Sequence, residues 1–205
     1  MGQPPLQIII GSTRPGRMGG AVGAWFHELA VRHERFDVEL IDLFEIDLPL
    51  LDEPRPAGRG PYTKAHTRRW SQLVDAAAAY VFVVPEYNHS YNAATKNSLD
   101  FLNEEWRHKP VGFVGYGGSA GGARAVQALT PVVVALGMRP LARSVHIPLI
   151  NRAVTADGTL RTDERRDNSA RLLLDEMFHE TKGSQENAVL EPSGGDRGRR
   201  AEQGT

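Results

Sequence analysis

The sequence predicts an α/β domain with a five-stranded, all-parallel sheet in the order 2-1-3-4-5 and helices on both faces. Apolar, β-branched runs alternate with segments of helical periodicity along most of the chain. Five such runs occur, and each junction is marked by Gly, Pro, Asn or Ser. This alternation is typical of a doubly wound sheet with the stated strand order. We expect the domain to span residues 1–182 and residues 183–205 to form a disordered tail.

The first half of the chain supplies two strands and two helices. Residues 6–10 and 38–41 are mostly apolar and predict strands one and two. Residues 49–61 begin and end with proline and predict a long loop. Each of the two helices is indicated by an apolar stripe at helical spacing: Val22, Trp25, Phe26, Leu29 and Ala30 in the first, and Trp70, Leu73, Val74 and Ala77 in the second.

The second half supplies the remaining strands. Residues 80–84, YVFVV, are aromatic or β-branched throughout and predict a central strand buried on both faces. Strands four and five are expected over residues 111–114 and 141–145. Three helices are expected in this half. The first covers residues 93–103, before strand four, and the last covers residues 163–182, after strand five. The helix between strands four and five has an apolar face formed by Val126, Leu129, Val133 and Leu136.

Composition excludes several function classes. Among 205 residues there is no cysteine, which rules out disulfides, thiolate metal sites and cysteine nucleophiles. A formal net charge of −1 gives no global field that favours nucleic acid. The N-terminus has no basic segment before a long apolar run, and no apolar run approaches 20 residues. We therefore expect a cytoplasmic protein that contacts neither membrane nor nucleic acid.

Residues 11–20, GSTRPGRMGG, form the first of three marked loops and follow strand one. The loop lacks the G-x-G-x-x-G spacing of dinucleotide sites and the G-K-[ST] ending of P-loops. Arginine forks and the free amides at a helix start are favourable partners for phosphate. We expect a phosphate here, although a surface turn with solvated arginines is the alternative. The candidate donors are the side chains of Ser12, Thr13, Arg14 and Arg17 and the amides of Met18 and Gly19.

The second loop opens the segment PEYNHSYNAATKN at residues 85–97, after strand three. Its tyrosines, Tyr87 and Tyr91, offer flat apolar surface to an aromatic ligand. Backbone amides over residues 86–88 are placed to hydrogen-bond the polar edge of a heterocycle. An ordinary strand–turn–helix connection is the alternative. His89 has no second histidine at ligand spacing, so we expect it to be a surface residue.

The third loop, GYGGSAGG at residues 115–122, follows strand four and contains a G-x-S-x-G match centred on Ser119. A serine hydrolase would use Ser119, Asp157 or Asp163, and His179. Against it, His179 lies within a helical pattern and the arginine loop would have no role. The small residues fit better a backbone that lets a flat ligand approach closely. In the predicted strand order, the three loops meet at one edge of the sheet.

Together these residues resemble the NADPH-dependent FMN reductase family, which comprises flavodoxin-like quinone, azo-dye and chromate reductases. The resemblance covers about residues 6–145 and depends on GSTRPGR, on Pro85-Glu86-Tyr87-Asn88 with Lys96-Asn97, and on GGSAGG. It implies a flavodoxin-like three-layer sandwich with FMN bound at the three loops. Ser12, Arg14, Arg17, Met18 and Gly19 would hold its phosphate, Pro85, Glu86, Tyr87 and Asn88 would border one side of the ring, and Gly117, Gly118 and Ser119 the other.

The resemblance also implies an activity and an assembly. A nicotinamide, NADPH or NADH, would give a hydride to FMN, which would reduce a quinone, azo, flavin or metal acceptor, so no catalytic side chain and no bound metal are expected. A flavin-binding electron carrier is the alternative, disfavoured by the near-neutral charge and the two arginines. A homodimer or homotetramer is implied. Tyr91, Asn92 and Trp106 would then reach a neighbouring subunit or pack locally. Ala94 and Thr95 depart from the family's usual Gly and Leu.

Overall fold

The computed structural model describes residues 2–161 and 163–190, with side chains described as far as residue 184. Its sheet has five parallel strands in the order β2-β1-β3-β4-β5, which confirms the predicted fold class. The strands are β1 (Pro5–Ile10), β2 (Asp37–Asp42), β3 (Ala79–Pro85), β4 (Pro110–Tyr116) and β5 (Arg139–Ile147).

Seven α-helices accompany the sheet within the described residues. Two of them, α2 and α6, have only four residues each and were not predicted. A 3₁₀-helix, Glu104–Trp106, was not predicted either. The helices are α1 (Gly19–Arg32), α2 (Leu43–Ile46), α3 (Ala65–Asp75), α4 (Ala93–Asp100), α5 (Ala123–Ala135), α6 (Ile150–Ala153) and α7 (Glu164–Leu190).

Two predicted helix ends differ from the observed ones by three residues or more. Helix α4 stops at Asp100, three residues early, because Phe101 and Leu102 turn inward and are buried beside it. Helix α7 continues to Leu190 and so includes residues 183–190, which the sequence assigned to the tail. Gly183 has open space around it and costs only the roughly 1 kcal/mol of its low helix propensity. Residues 191–205 lie outside the described residues.

The core has two parts, one on each face of the sheet. Helices α1 and α7 cover one face with side chains such as Phe26 and Leu173. Helices α3, α4 and α5 cover the other with Trp70, Leu99 and Leu129. All seven residues of β3 are buried, as expected of a central strand. The layers hold the carboxyl ends of β1, β3 and β4 side by side, and the three marked loops begin there.

Trp106 belongs to the second part of this core. It is fully buried, and its ring centroid lies 5.0 Å from that of Tyr80 and 6.1 Å from that of Phe82. Its indole nitrogen donates to the Leu99 carbonyl at 3.2 Å. The expectation that Trp106 reaches a neighbouring subunit is therefore wrong, and local packing is what the structure shows.

Candidate active site

A cavity of about 310 Å³ lies at the edge of the sheet where the three loops meet. Its lining includes predicted residues from each of the three loops. A further wall is formed by residues 149–152, which follow β5. Of the predicted site residues, Ser12, Arg17, Gly19, Asn88 and Ser119 lie outside the lining. The lining residues are Arg14, Met18, Pro85, Glu86, Tyr87, Tyr116, Gly117, Gly118, Leu149, Ile150, Asn151 and Arg152.

The start of α1 presents hydrogen-bond donors to this cavity. No side chain caps the first amides of the helix, and its first turn has no acidic residue. Ser12 is fully buried, with its Oγ 2.8 Å from the Tyr87 hydroxyl of the second loop. A Cβ on Gly19 would lie 2.9 Å from both Tyr116 Oη and Ile10 Cγ2, so only glycine lets these groups approach the helix start. The result is a positively polarised helix end without an acidic partner.

The two loop arginines have different surroundings. Arg14 is exposed, lines the cavity and donates to the Pro15 carbonyl at 3.2 Å. Arg17 Nη2 pairs with Asp42 Oδ2 at 2.7 Å, and its guanidinium carbon lies 4.3 Å from the centre of the Phe44 ring. The Nε of Arg17 is buried, and the described residues give it no partner. Arg14 is thus free to move toward a ligand, whereas Arg17 is held in place with one donor unused.

The second loop is a tight turn. Tyr87 and Ser90 exchange backbone hydrogen bonds of 2.8 and 3.0 Å. Asn88 and His89 between them have φ of 49° and 68°, the left-handed conformation that such a two-residue turn requires. Both side chains are exposed. No group of three or more metal-ligating side chains is found among the described residues, and His89 is a turn residue.

Glu86 is fixed by the third loop's helix. Its Oε1 accepts from Arg124 Nη1 at 2.9 Å and its Oε2 from the Arg124 amide at 3.2 Å. The Glu86 amide donates to the Tyr116 carbonyl at 2.9 Å. Only 9% of the Glu86 side chain is exposed. This pair joins the second and third loops, and sequence reasoning did not anticipate it.

Asn92 joins the first loop to the second. Its Nδ2 donates to the Gly11 carbonyl at 2.6 Å, and its Oδ1 accepts from Thr95 Oγ1 at 2.8 Å. All three residues are buried. A Cβ on Gly11 would lie 2.2 Å from Thr95 Oγ1, so the first loop requires glycine there. Of the two alternatives for Asn92, local packing is what the structure shows, since its amide is used inside its own chain. Tyr91 is partly buried against its own core.

The third loop is built by glycines rather than around Ser119. Gly121 and Gly122 have φ of 61° and 86°, and a Cβ on Gly122 would lie 2.3 Å from the Tyr116 nitrogen. In a nucleophile elbow the serine itself is the strained residue, whereas Ser119 is not among the positive-φ residues of the described chain.

The acid and histidine that a hydrolase would pair with Ser119 do not contact it. Asp163 Oδ1 accepts from the Arg166 amide at 3.0 Å at the start of α7, and Asp157 Oδ1 accepts from the Thr159 hydroxyl at 2.9 Å. His179 is exposed on α7. Within the described chain no hydrogen bond joins Ser119 to His179, so the geometry does not support a serine hydrolase.

Sequence reasoning missed Tyr116 and the wall over residues 149–152. Leu149 has φ of 50° and donates its amide to the Gly118 carbonyl at 2.9 Å, while the Ile150 amide donates to Gly117 at 3.0 Å. These bonds fix the segment after β5 against the third loop. The position of the segment at the carboxyl end of a strand was the one available signal.

The donor set fits a mononucleotide flavin. One end of the cavity collects an arginine, hydroxyl groups and uncapped helix amides, which suit a phosphate and a polyol. The other end offers backbone groups of the second and third loops and an open glycine face, which suit a flat heterocycle. The buried Arg17 Nε and Tyr116 Oη also have no hydrogen-bond partner in the described part of the chain.

The chain matches a family model and several characterised proteins. The model for NADPH-dependent FMN reductase matches residues 5–151. An NAD(P)H-dependent FMN reductase of Schizosaccharomyces pombe is 40% identical over 126 residues, which are 60% of this chain and 63% of that protein, less than two thirds of its length. One of Saccharomyces cerevisiae is 36% identical over 154 residues, covering 69% and 80%. An NADPH azoreductase of a Bacillus strain is 29% identical, covering 73% and 78%.

Solved structures share the fold. The flavoenzyme NAD(P)H:(acceptor) oxidoreductase FerB from Paracoccus denitrificans superposes with a TM-score of 0.68 at 21% identity, covering 88% of this chain and 98% of that one. A flavodoxin from Megasphaera elsdenii superposes with a TM-score of 0.53 at 12% identity, covering 82% and 97%. These identities establish a flavodoxin-like fold for the described domain.

Proposed function

The chain belongs to the NADPH-dependent FMN reductase family, and on that premise we propose that it is an oxidoreductase that uses NAD(P)H and FMN to reduce a quinone, azo, flavin or metal acceptor. FMN is the cofactor that this family uses and NAD(P)H is the reductant. The observation that carries the proposal is the cavity itself. It joins Arg14 and the uncapped start of α1 to residues 85–87 and to Gly117 and Gly118.

The proposed binding residues are those of the three loops. For the FMN phosphate they are Ser12, Arg14, Arg17 and the amides of Met18 and Gly19. For the ring they are Pro85, Glu86, Tyr87 and Asn88 on one side and Gly117, Gly118 and Ser119 on the other. The free amides at α1 and the location of Arg14 support the first group. The Glu86–Arg124 pair supports the second group, because it fixes the second loop against the third.

The protein's contribution is binding, orientation and electrostatics. FMN held in this cavity would supply the hydride and electron-transfer chemistry between the nicotinamide and the acceptor. The positively polarised start of α1 and Arg14 neutralise a phosphate at one end of the cavity. The hydrogen bonds that join the loops keep the ring side of the cavity in one geometry. We assign no acid–base role to a side chain.

Absorption spectroscopy of the purified protein tests this proposal. We expect a flavin spectrum, in the protein as isolated or after adding FMN, and bleaching of the flavin band when NADPH is added without oxygen. Steady oxidation of NADPH or NADH with a quinone or azo dye should follow. A protein that binds no FMN would contradict the proposal. Flavin binding without NAD(P)H oxidation would indicate the electron carrier instead.

We further propose a cytoplasmic homodimer or homotetramer. An apolar surface formed by Phe44, Leu50 and Leu51 supports association, since their exposures are 47%, 82% and 44%. It borders a groove between α2 and α4 of about 430 Å³. Asn97 fixes this surface by donating to the Pro49 carbonyl at 2.7 Å and accepting from the Leu51 amide at 2.9 Å. A cysteine-free composition fits a reducing compartment.

A further inference from the structure

Tyr116 has a buried hydroxyl that the fold does not use. The residue ends β4, lines the cavity and is 4% exposed. Its Oη is buried and makes no hydrogen bond within the described residues. The neighbouring Ser12 hydroxyl is paired instead with the Tyr87 hydroxyl, 2.8 Å away. An unpaired buried hydroxyl costs free energy, so its retention at a cavity wall calls for an acceptor that comes from a ligand.

The surroundings of this hydroxyl indicate which part of a ligand it faces. A Cβ on Gly19 would lie 2.9 Å from Tyr116 Oη and 3.7 Å from Ser12 Cβ, so the hydroxyl lies beside the first turn of α1. Burial raises the pKa of Tyr116, and the neighbouring Ser12 hydroxyl, followed by Arg14 and Arg17, opposes that rise. The group is therefore a protonated donor at neutral pH, next to the uncapped amides and the loop arginines.

We propose that Tyr116 is a further FMN-binding residue whose hydroxyl donates a hydrogen bond to the phosphate at the start of α1. This inference rests on the proposed function and adds a donor from β4 to a site otherwise formed by the first loop. The helix amides attract an anion from one side, and the tyrosine hydroxyl approaches the same position from the neighbouring strand. Tyr116 thus selects for the phosphate of FMN and is indifferent to riboflavin, which lacks one.

Flavin titrations of the flavin-free protein test this assignment. Tyr116→Phe keeps the ring and removes only the hydroxyl. Quenching of flavin fluorescence gives the dissociation constants for FMN and for riboflavin. We expect Tyr116→Phe to weaken FMN binding about tenfold, the effect of one hydrogen bond to a charged group, and to leave riboflavin binding unchanged.

A matched control is Tyr80→Phe. The Tyr80 hydroxyl is also buried, but it donates within the core to the Val74 and Glu105 carbonyls at 2.8 and 3.1 Å. This control should lower the unfolding temperature without changing the ratio of the two flavin affinities. Unchanged FMN affinity in Tyr116→Phe, or equal weakening for both flavins, would overturn the phosphate assignment. A wild-type protein that binds neither flavin would instead overturn the proposed function.

Discussion

At the scale of single residues, the two arginines of the first loop differ more than their shared loop suggests. Arg14 is exposed beside the cavity, while Arg17 is 20% exposed and paired with Asp42 of β2. Asp42 Oδ1 also accepts from the Phe44 amide at 3.0 Å and so caps α2. Arg17 therefore joins the first loop to β2 and α2 in addition to its proposed role toward phosphate.

Single substitutions should separate these roles. Arg14→Ala should weaken FMN binding roughly tenfold or more. It should leave the unfolding temperature nearly unchanged, because the exposed Arg14 side chain makes only a hydrogen bond to the adjacent Pro15 carbonyl. Arg17→Ala should lower both FMN affinity and stability. Asp42→Asn, which weakens the ion pair without touching the phosphate, is the control for the stability effect. Fluorescence titration and thermal denaturation measure the two quantities. Unchanged flavin binding in the Arg14→Ala, Arg17→Ala double variant would show that the loop is misassigned.

At the scale of elements, the long loop before α3 is held to that helix by one carboxylate. Glu53 accepts from the amides of Thr63 and Lys64 at 3.0 and 2.9 Å and from the Thr63 hydroxyl at 2.7 Å. Burial acts to raise the pKa of Glu53, but these hydrogen bonds outweigh it and hold the pKa at about 2, below the ordinary 4.5. Glu53 thereby acts as a remote cap for the start of α3.

The depressed pKa of Glu53 gives a stability effect with a defined pH range. The ionised form is favoured by folding, so its contribution is complete above pH 4.5 and is lost as pH falls toward 2. Glu53→Gln should lower the unfolding temperature by about 2–4 °C at pH 7, the effect of losing a cap worth about 1 kcal/mol. The gap between wild type and variant should narrow at pH 3. Thermal denaturation at both pH values measures this difference in unfolding temperature. A difference that is the same or larger at pH 3 would contradict the capping role.

At the scale of the whole molecule, the apolar surface at residues 44–51 lies outside the two-part core. Leu50 is 82% exposed, more than any other large apolar side chain of the described chain, and Asn97 of α4 holds its segment in place. Covering an exposed leucine by a partner subunit stabilises the complex by about 25 cal/mol for each Å² of apolar area removed from water.

Leu50→Glu should therefore shift the protein from the proposed dimer or tetramer toward the monomer. Burying an unpaired carboxylate at an interface is unfavourable, which gives the direction of the effect. Val134→Glu is the matched control, since Val134 is 53% exposed on α5, away from this surface. Light scattering coupled to size-exclusion chromatography measures the molar mass of both variants and of the wild type. A monomeric wild type, or a Leu50→Glu variant that associates normally, would refute the proposed interface.

Much of the fold was predictable from local pattern. The run at residues 80–84 predicted a central strand, and the alternation of strands and helices predicted a parallel sheet, since parallel strands need crossover connections. The number of strand–helix units then suited the order 2-1-3-4-5. The meeting of the three loops followed from that order. The short helices α2 and α6 were not predictable, because four residues carry too little periodicity.

The parts of the site that escaped prediction are pairs between distant residues. Arg17 with Asp42, Glu86 with Arg124, and Asn92 with Gly11 are separated by 25, 38 and 81 positions. Each depends on side-chain directions that only the packed structure fixes. The unpaired hydroxyl of Tyr116 could not be predicted either, since the sequence does not show whether a buried tyrosine finds a hydrogen-bond partner.

The three loops also continue the hydrogen-bond ladder of the sheet. The amides of Gly11, Glu86 and Gly117 donate to the carbonyls of Val83, Tyr116 and Ile147, each on the neighbouring strand or at its end. Loop amides normally exchange with solvent protons through small local fluctuations, whereas ladder amides exchange when the sheet itself opens. We therefore expect these three amides to exchange as slowly as those of the core strands, so that the start of each loop keeps its position for as long as the sheet stays closed.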